Sequence, residues 1–454
     1  MAMKLPIVLA AALVIAPLVH GEEAERGGGA PRATAPGGVK GSPPESLDNW
    51  PGWRGPGGTG VSSETNFPVS WDASNIKWKT PIPGRAHSSP VVWGDRLFIT
   101  TSIEGGIVPG REKKPEHDLG GEVFVHPDMV SHDRTQTMKV YGLEASSGKI
   151  LWEQTAYSGP VADGRHRKSS FAASTPVTDG AMVYVFLGTE GLYAYSVDGE
   201  LQWKHDLGEI KTLGLGFATS PILYDNLLIL QCDEDNGAKS FIVAFDKASG
   251  REVWRQTRPV QSSWATPVIV DDQLVTAGTE FIIAYEPKTG VELWRTKGVE
   301  SNTIPSPVYG HGLIFMTAGF PAKSVLAITP GAKTADISWT YARGTAYVTS
   351  PILVGDSLYL STDRGILTNL DAKTGEVRYE GGRVPVPATF TASMVAFGDK
   401  ILQSSEDGDV FVIQAGPEHK LLATNKLGEP IYASPALSNG VIYIRGEKNI
   451  YAIR

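Results

Sequence analysis

The feature that most constrains this chain is a cassette of about 40 residues that recurs until the last residue. Its clearest copy opens on Trp264-Ala265-Thr266-Pro267 and runs through an apolar stretch to a polar turn at Asp271-Asp272. Two further β-rich runs end near Thr276 and Tyr285, and the copy closes on Thr289-Gly290 followed four residues later by Trp294. Each copy thus carries four strand signals and three tight-turn signals. A fixed period with four strands in it predicts a β-propeller blade.

Counting copies sets the architecture. The opening pair stands at Ser89-Pro90, Thr175-Pro176, Ser220-Pro221, Thr266-Pro267, Ser306-Pro307, Ser350-Pro351 and Ser434-Pro435, with a degenerate copy at Ala392-Ser393. Trp152, Trp203, Trp254, Trp294, Trp339 and Tyr379 close the blades, and Leu422 stands in for the seventh. The eighth opening has no closing strand, because the chain stops after Ile450-Tyr451-Ala452-Ile453. The missing strand lies at the other end, where Ile76-Lys77-Trp78-Lys79 precedes the first opening pair. The expectation is an all-β, eight-bladed propeller of four-stranded antiparallel blades, closed by residues 76–79 pairing with 450–453, which leaves no free sheet edge around the ring.

Each cassette position has a physical reason. Proline at the first residue of a strand gives up no ladder hydrogen bond. Nearly continuous apolar runs bury both faces of a blade between its neighbours. Gly148, Gly199, Gly250, Gly290 and Gly375 supply the permissive backbone for the last hairpin turn. The closing tryptophans are expected to wedge between blades rather than to stack on a ligand.

The pattern Ala244-Phe-Asp246-Lys-Ala-Ser-Gly250-Arg-Glu-Val-Trp254 resembles the PQQ-like, or quinoprotein-type, β-propeller repeat, over roughly residues 71–454. The resemblance speaks for the fold; function has to come from the site. Catalytic quinoprotein dehydrogenases of this kind use a calcium-bound quinone, an acidic base and a disulfide of adjacent cysteines. This chain has one cysteine, Cys232, and no Cys-x-x-Cys-His for haem. Nucleophile-elbow, P-loop and zinc-peptidase motifs are absent as well. The resemblance therefore implies a non-catalytic member, with no catalytic residues and no cofactor expected; PQQ with calcium belongs to the alternative, a divergent small-molecule oxidoreductase. In this respect the chain resembles the propeller lipoprotein of outer-membrane β-barrel assembly, which implies an envelope protein or peptide as partner.

Ahead of the ring, residues 1–21 read as a secretory signal: Lys4 supplies the positive start and Leu5 to Val19 the apolar run, too short for a membrane span. No cysteine lies near it, so no lipid anchor is expected. Residues 22–48, rich in Gly, Pro and Ala, read as a disordered tether, and the propeller domain is assigned to 49–454. The expected location is the bacterial periplasm or cell exterior, where a large core needs no disulfide. A net charge of −8 leaves no basic footprint for nucleic acid. The segment Trp50-Pro-Gly-Trp53-Arg54-Gly-Pro is expected to dock on the ring as a strap, with a ligand site at Arg54 as the sharper alternative.

One blade departs from the pattern. Between expected strands at 96–101 and 139–143 lies an insert holding His117, His126 and His132. Their spacings of nine and six match no compact zinc pattern, so they are weak metal candidates against a solvated polar loop. Asp163-Gly-Arg165-His166-Arg167-Lys168 forms a basic link that serves as a solvated connection or an anion clamp. Asp233-Glu-Asp-Asn-Gly237 and Glu406-Asp-Gly-Asp409 lack the length and terminal glutamate of calcium loops and read as turns.

Loops of an up-and-down blade alternate between the two faces of the ring. Inter-blade links and second-to-third turns share one face, and everything unusual falls there. Residues just ahead of the opening pairs should ring the channel mouth on that face: Arg85, His87, Phe171, Phe217, Trp264, Tyr347, Phe390 and Tyr432. With Arg165, His166 and Lys168 they make the expected partner-binding face. A plug of the channel by the same aromatics is the alternative role.

Overall fold

A computed structural model describes residues 49–300 and 302–454. The expected signal at 1–21 and tether at 22–48 lie outside the described residues. Eight four-stranded antiparallel blades form, each ordered from an inner to an outer strand. Blade 1 comprises Val91–Trp93, Arg96–Ile107, Arg134–Glu144 and Ile150–Pro160. The helical elements among the described residues are three short 3-10 turns.

The ring closes as the cassette arithmetic requires. Strand Ile76–Pro81 pairs antiparallel with Asn449–Ile453 and supplies the outer strand of blade 8, with Trp78 opposite Ala452 and Thr80 opposite Ile450. This N-terminal strand thus completes a sheet whose other three strands come from the C-terminus.

The opening Ser/Thr has a role beyond marking a strand start. The backbone N–H of Ser89 donates to Thr175 Oγ1, Thr175 to Ser220 Oγ, and Ser220 to Thr266 Oγ1, each at 3.0 Å. The chain of bonds continues through Ser306, Ser350 and Ser393 to Ser434 at 2.9–3.0 Å. Seven of the eight inner strands are thereby stitched to the next by one buried hydroxyl. This explains why Ser393 keeps its hydroxyl where the proline is lost. Replacing Ser350 by Ala leaves the buried Ser306 N–H without its acceptor and should cost about 1–3 kcal/mol. Ser350→Thr should restore most of it, as read by urea denaturation.

The closing tryptophans wedge between blades. Trp78, Trp152, Trp203, Trp254 and Trp339 each donate their indole N–H to a carbonyl in the last hairpin turn of the next blade: Ala145, Val197, Lys247, Pro287 and Ala372. Their rings lie on the turn glycine, so a Cβ at Gly250 or Gly290 would overlap the indole, and φ there is +72° and +71°. Trp294 differs. Blade 5 lacks the Thr-Gly turn, and Trp294 donates instead to Gln273 of its own blade.

The strap is docked, inside the channel. Trp50 bridges to Val92 of blade 1, Pro51 O accepts from Thr178 of blade 2, and Trp53 Nε1 reaches Ser306 Oγ of blade 5. Val61–Ser62 then adds parallel to the innermost strand of blade 7. Arg54 is fully buried under its own loop, donating to Thr59 O, and burial pushes its pKa down to about 9. Asn49 and Glu64, at either end of the strap, accept from the first-to-second turns at Gly94 and at Asn439-Gly440. The strap therefore enters and leaves through that face, leaving the opposite one to the long loops.

Two strand boundaries need correction. The second and third strands of blade 1 run to Ile107 and from Arg134, well past 101 and 139. Their residues keep pairing as Ser102 with Met138 and Glu104 with Gln136, so the insert proper is 108–133. Polar strand ends hid this extension from hydrophobic periodicity.

Candidate recognition face

Everything unusual does meet on one face. Met129–Val130 of the insert pairs with Arg165–His166 of the link between blades 1 and 2. Asn236, in the acidic turn of blade 3, donates to Asp118 of the insert. Lys168 reaches across to Glu406 of blade 7 at 3.1 Å, and Thr391 Oγ1 donates to the same carboxylate at 2.6 Å.

His117 is not part of a solvated loop. It is buried between two carboxylates, Nε2 at 3.2 Å from Asp163 and Nδ1 at 3.0 Å from Asp235. Burial alone would lower the imidazole pKa; the two aspartates more than offset it and raise it to about 9. The ring is thus held as an imidazolium pinning the insert to blades 2 and 3. Its contribution is fully present below the unfolded value of about 6.5 and is lost as pH rises through the folded one. Wild-type melting temperature should fall more steeply between about pH 7 and about pH 10 than that of His117→Gln. Equal slopes would show that the clamp carries no linked stability.

His126 and His132 do not join it. His126 Nδ1 accepts from the Asp128 N–H, and its ring lies 6.3 Å from that of His166. His132 is half-buried, lowered by burial first and by Arg111 second. Among the described residues no group of three or more His, Cys, Asp or Glu is arranged to hold a metal.

Around the mouth, the aromatic residues divide. Trp264 and Phe390 are buried: the indole donates to Gly216 O at 2.8 Å, and Phe390 packs on Phe411. Tyr347 is half-buried, edge-on to the exposed Phe320 at 5.5 Å. Tyr432 is half-buried as well, with the His87 ring 5.1 Å away and the Arg85 guanidinium over its face at 5.2 Å.

His87 shares a hydrogen bond of 3.0 Å with Ser170 Oγ; burial, then Arg85, pushes its pKa down to about 3, so it stays neutral. Arg165 donates to His166 O and Ser169 O and lies over Phe171; burial and then Arg85 lower its pKa. His166 sits 3.8 Å from Asp128 and is likewise lowered by burial.

The acidic turn at 233 is more than a turn. Asp233 forms an ion pair with Arg258 at 2.7 Å, both side chains at 0% exposure. Gln231 and Ser263 donate to its other oxygen. Four carboxylates of the mouth are therefore engaged: Asp163 and Asp235 by His117, Asp233 by Arg258, and Glu406 by Lys168. These partners were beyond sequence reasoning, because each pair joins residues from separate loops, and only Asp233 and Arg258 share a blade.

Residues 107–238 and 238–454 match the family described as outer membrane protein assembly factor BamB, PQQ_2. The chain belongs to this family. A relative, the outer membrane protein assembly factor BamB of Burkholderia pseudomallei (strain K96243), is 29% identical over 109 residues. The matched stretch is 24% of this chain and 27% of that protein, so about a quarter of the relative is spanned. BamB from Moraxella catarrhalis matches with a TM-score of 0.53 at 14% identity, over 78% of this chain and 97% of that one. Quinohemoprotein alcohol dehydrogenase from Comamonas testosteroni matches at 0.60 and 12%, over 89% and 80%. A europium-containing methanol dehydrogenase matches at 0.59 and 12%, over 89% and 91%. Such identities show the shared propeller and nothing finer. In this BamB-family propeller no helix among the described residues is long and apolar enough to cross a membrane.

Proposed function

We propose that this BamB-family chain is a non-catalytic scaffold of the bacterial envelope that binds a protein or peptide on its mouth face. The observation that carries the reading is the division of labour between the faces. The strap fills the channel from the side of the short turns, while the insert, the basic link and the half-buried Tyr347 and Tyr432 gather on the other. Export with cleavage near Gly21 belongs to the same reading, and N-terminal sequencing of the mature protein tests it.

The reading includes no catalytic residue and no quinone. Asp163, Asp235, Asp233 and Glu406, already tied to His117, Arg258 and Lys168, do not fit as calcium ligands. Cys232 is buried in the core, pushed well above the usual thiol range by burial.

The test compares capture of envelope proteins by the wild type and by Tyr347→Ala with Phe320→Ala. Capture lost at unchanged melting temperature supports the reading. Unchanged capture, or saturable binding of added PQQ and calcium with alcohol-dependent dye reduction, would overturn it.

A further inference from the structure

The mouth face carries a second pattern, written in charge. The protein as a whole is acidic, at −8. Yet a continuous arc of the rim, from blade 6 round to the link between blades 1 and 2, holds four arginines that form no ion pair among the described residues. They are Arg364, Arg383, Arg85 and Arg165.

Contacts in the structure join the arc. Arg364 and Arg383 flank a groove of about 640 Å³ whose wall is residues 384–389 and whose far side is Asp407. The neighbouring Glu406 bonds backbone to backbone with Thr389 and pairs with Lys168. Arg85 lies on Tyr432, next to His87.

Three features define what fits. Arg364 and Arg383 are exposed, and Val386 between Pro385 and Pro387 is 42% exposed. The two prolines offer no N–H, so this wall presents apolar surface and carbonyls rather than a strand edge. An extended chain can lie on such a wall without having to pair with it.

Arg85 is held in place, since its backbone exchanges hydrogen bonds with Ser102 and its guanidinium rests on Tyr432. Its Nε is buried with no acceptor, a donor that an arriving anion would satisfy. Arg165 is fixed by the carbonyls of His166 and Ser169 and faces Arg85 as a like charge. A carboxylate between the two relieves that repulsion.

Glu406 and Asp407 sit among the arginines and would repel a polyphosphate. Spaced carboxylates on an otherwise neutral chain avoid them.

We infer that this arc binds an acidic, extended polypeptide segment, its backbone along the groove at 384–389 and its carboxylates on Arg364, Arg383 and Arg85. The inference rests on the proposed protein-binding role of the mouth face and names the chemistry of what binds there.

Fluorescence anisotropy with a labelled decapeptide alternating Glu and Leu tests it, against the same peptide with Gln for Glu. The Glu peptide should bind and weaken as salt rises, and the Gln peptide should not. Arg364→Gln with Arg383→Gln should weaken binding roughly tenfold at unchanged melting temperature, since both side chains are exposed. Arg85→Gln should do the same; if that variant unfolds, the exposed pair decides.

Equal binding of the two peptides, or no change in the exposed double variant, overturns the inference. Equal binding of a single-stranded oligonucleotide overturns the choice of ligand class. Envelope capture that survives Arg364→Gln with Arg383→Gln but fails in the Tyr347 variant removes the acidic segment and leaves the scaffold. Capture unaffected by either set removes the scaffold reading itself.

Discussion

A chain ended at Lys448 should fail to close its ring. The last strand, Asn449–Ile453, lies between its own blade and the N-terminal strand Ile76–Pro81, and Ile450, Tyr451 and Ile453 are at 0–2% exposure. Losing three such side chains removes about 6 kcal/mol of apolar burial, at about 2 kcal/mol each. That is of the order of a whole domain's net stability. The truncation also frees residues 76–81 and strips the outer edge of the neighbouring strand, exposing unpaired N–H and C=O groups to other molecules. The expected result is a protein that is insoluble, or that melts far below the full chain and sediments as aggregates. A soluble truncation with an unchanged melting transition would mean the closure contributes little.

Arg258→Met should be the most damaging single substitution on the mouth face. It leaves Asp233 buried with no countercharge, and removing one partner of such a pair costs about 3–5 kcal/mol. It also removes the donor to Ala277 O, which ties blade 3 to blade 4. Burial already pushes the Asp233 carboxyl up to about 6, with Arg258 opposing. A carboxyl whose folded pKa lies above its unfolded value favours the fold below about 3.9, and that support is lost as pH rises through the folded value. The deficit of Arg258→Met relative to wild type should therefore be smaller at about pH 5 than at about pH 8. The double variant Arg258→Met with Asp233→Leu should recover most of the loss, because two apolar groups replace a pair whose desolvation was costly. Urea denaturation of the three variants at both pH values gives the answer. A single-variant loss below about 1 kcal/mol would show that the pair is not coupled to folding.

Closure, blade number and the tryptophan wedges could all be read from sequence, because a repeat averages its own noise. One Ser-Pro followed by apolar residues is ambiguous, but seven recurring at one cassette length, or at two where an insert or a degenerate copy intervenes, are not. Gly250 and Trp254 had to meet a neighbouring blade wherever the ring closed. The hydroxyl belt was visible in the same letters and went unread. Serine and threonine before proline look like turn chemistry until Ser89 is seen bonding to Thr175, 86 residues away.

The mouth face was legible only as an address. Loop alternation placed Arg165, Lys168, the insert and the acidic turns on one side without placing any two together. Trp264 and Tyr432 both stand two residues ahead of the opening Ser/Thr, yet one is core and the other half-buried, because Gly216 of a neighbouring link accepts the indole N–H. The groove between Arg364 and Arg383 gave no signal at all, being made of ordinary loop residues.

Sequence alone thus determined the ring, its eight blades and the face on which the long loops fall, because these follow from a local period repeated along the chain. Tertiary structure alone decided that His117 is a clamp between Asp163 and Asp235, that Asp233 belongs to Arg258, and that four arginines form no ion pair among the described residues. Charge pairing depends on distances of a few ångströms between loops far apart in sequence, and no local pattern encodes them.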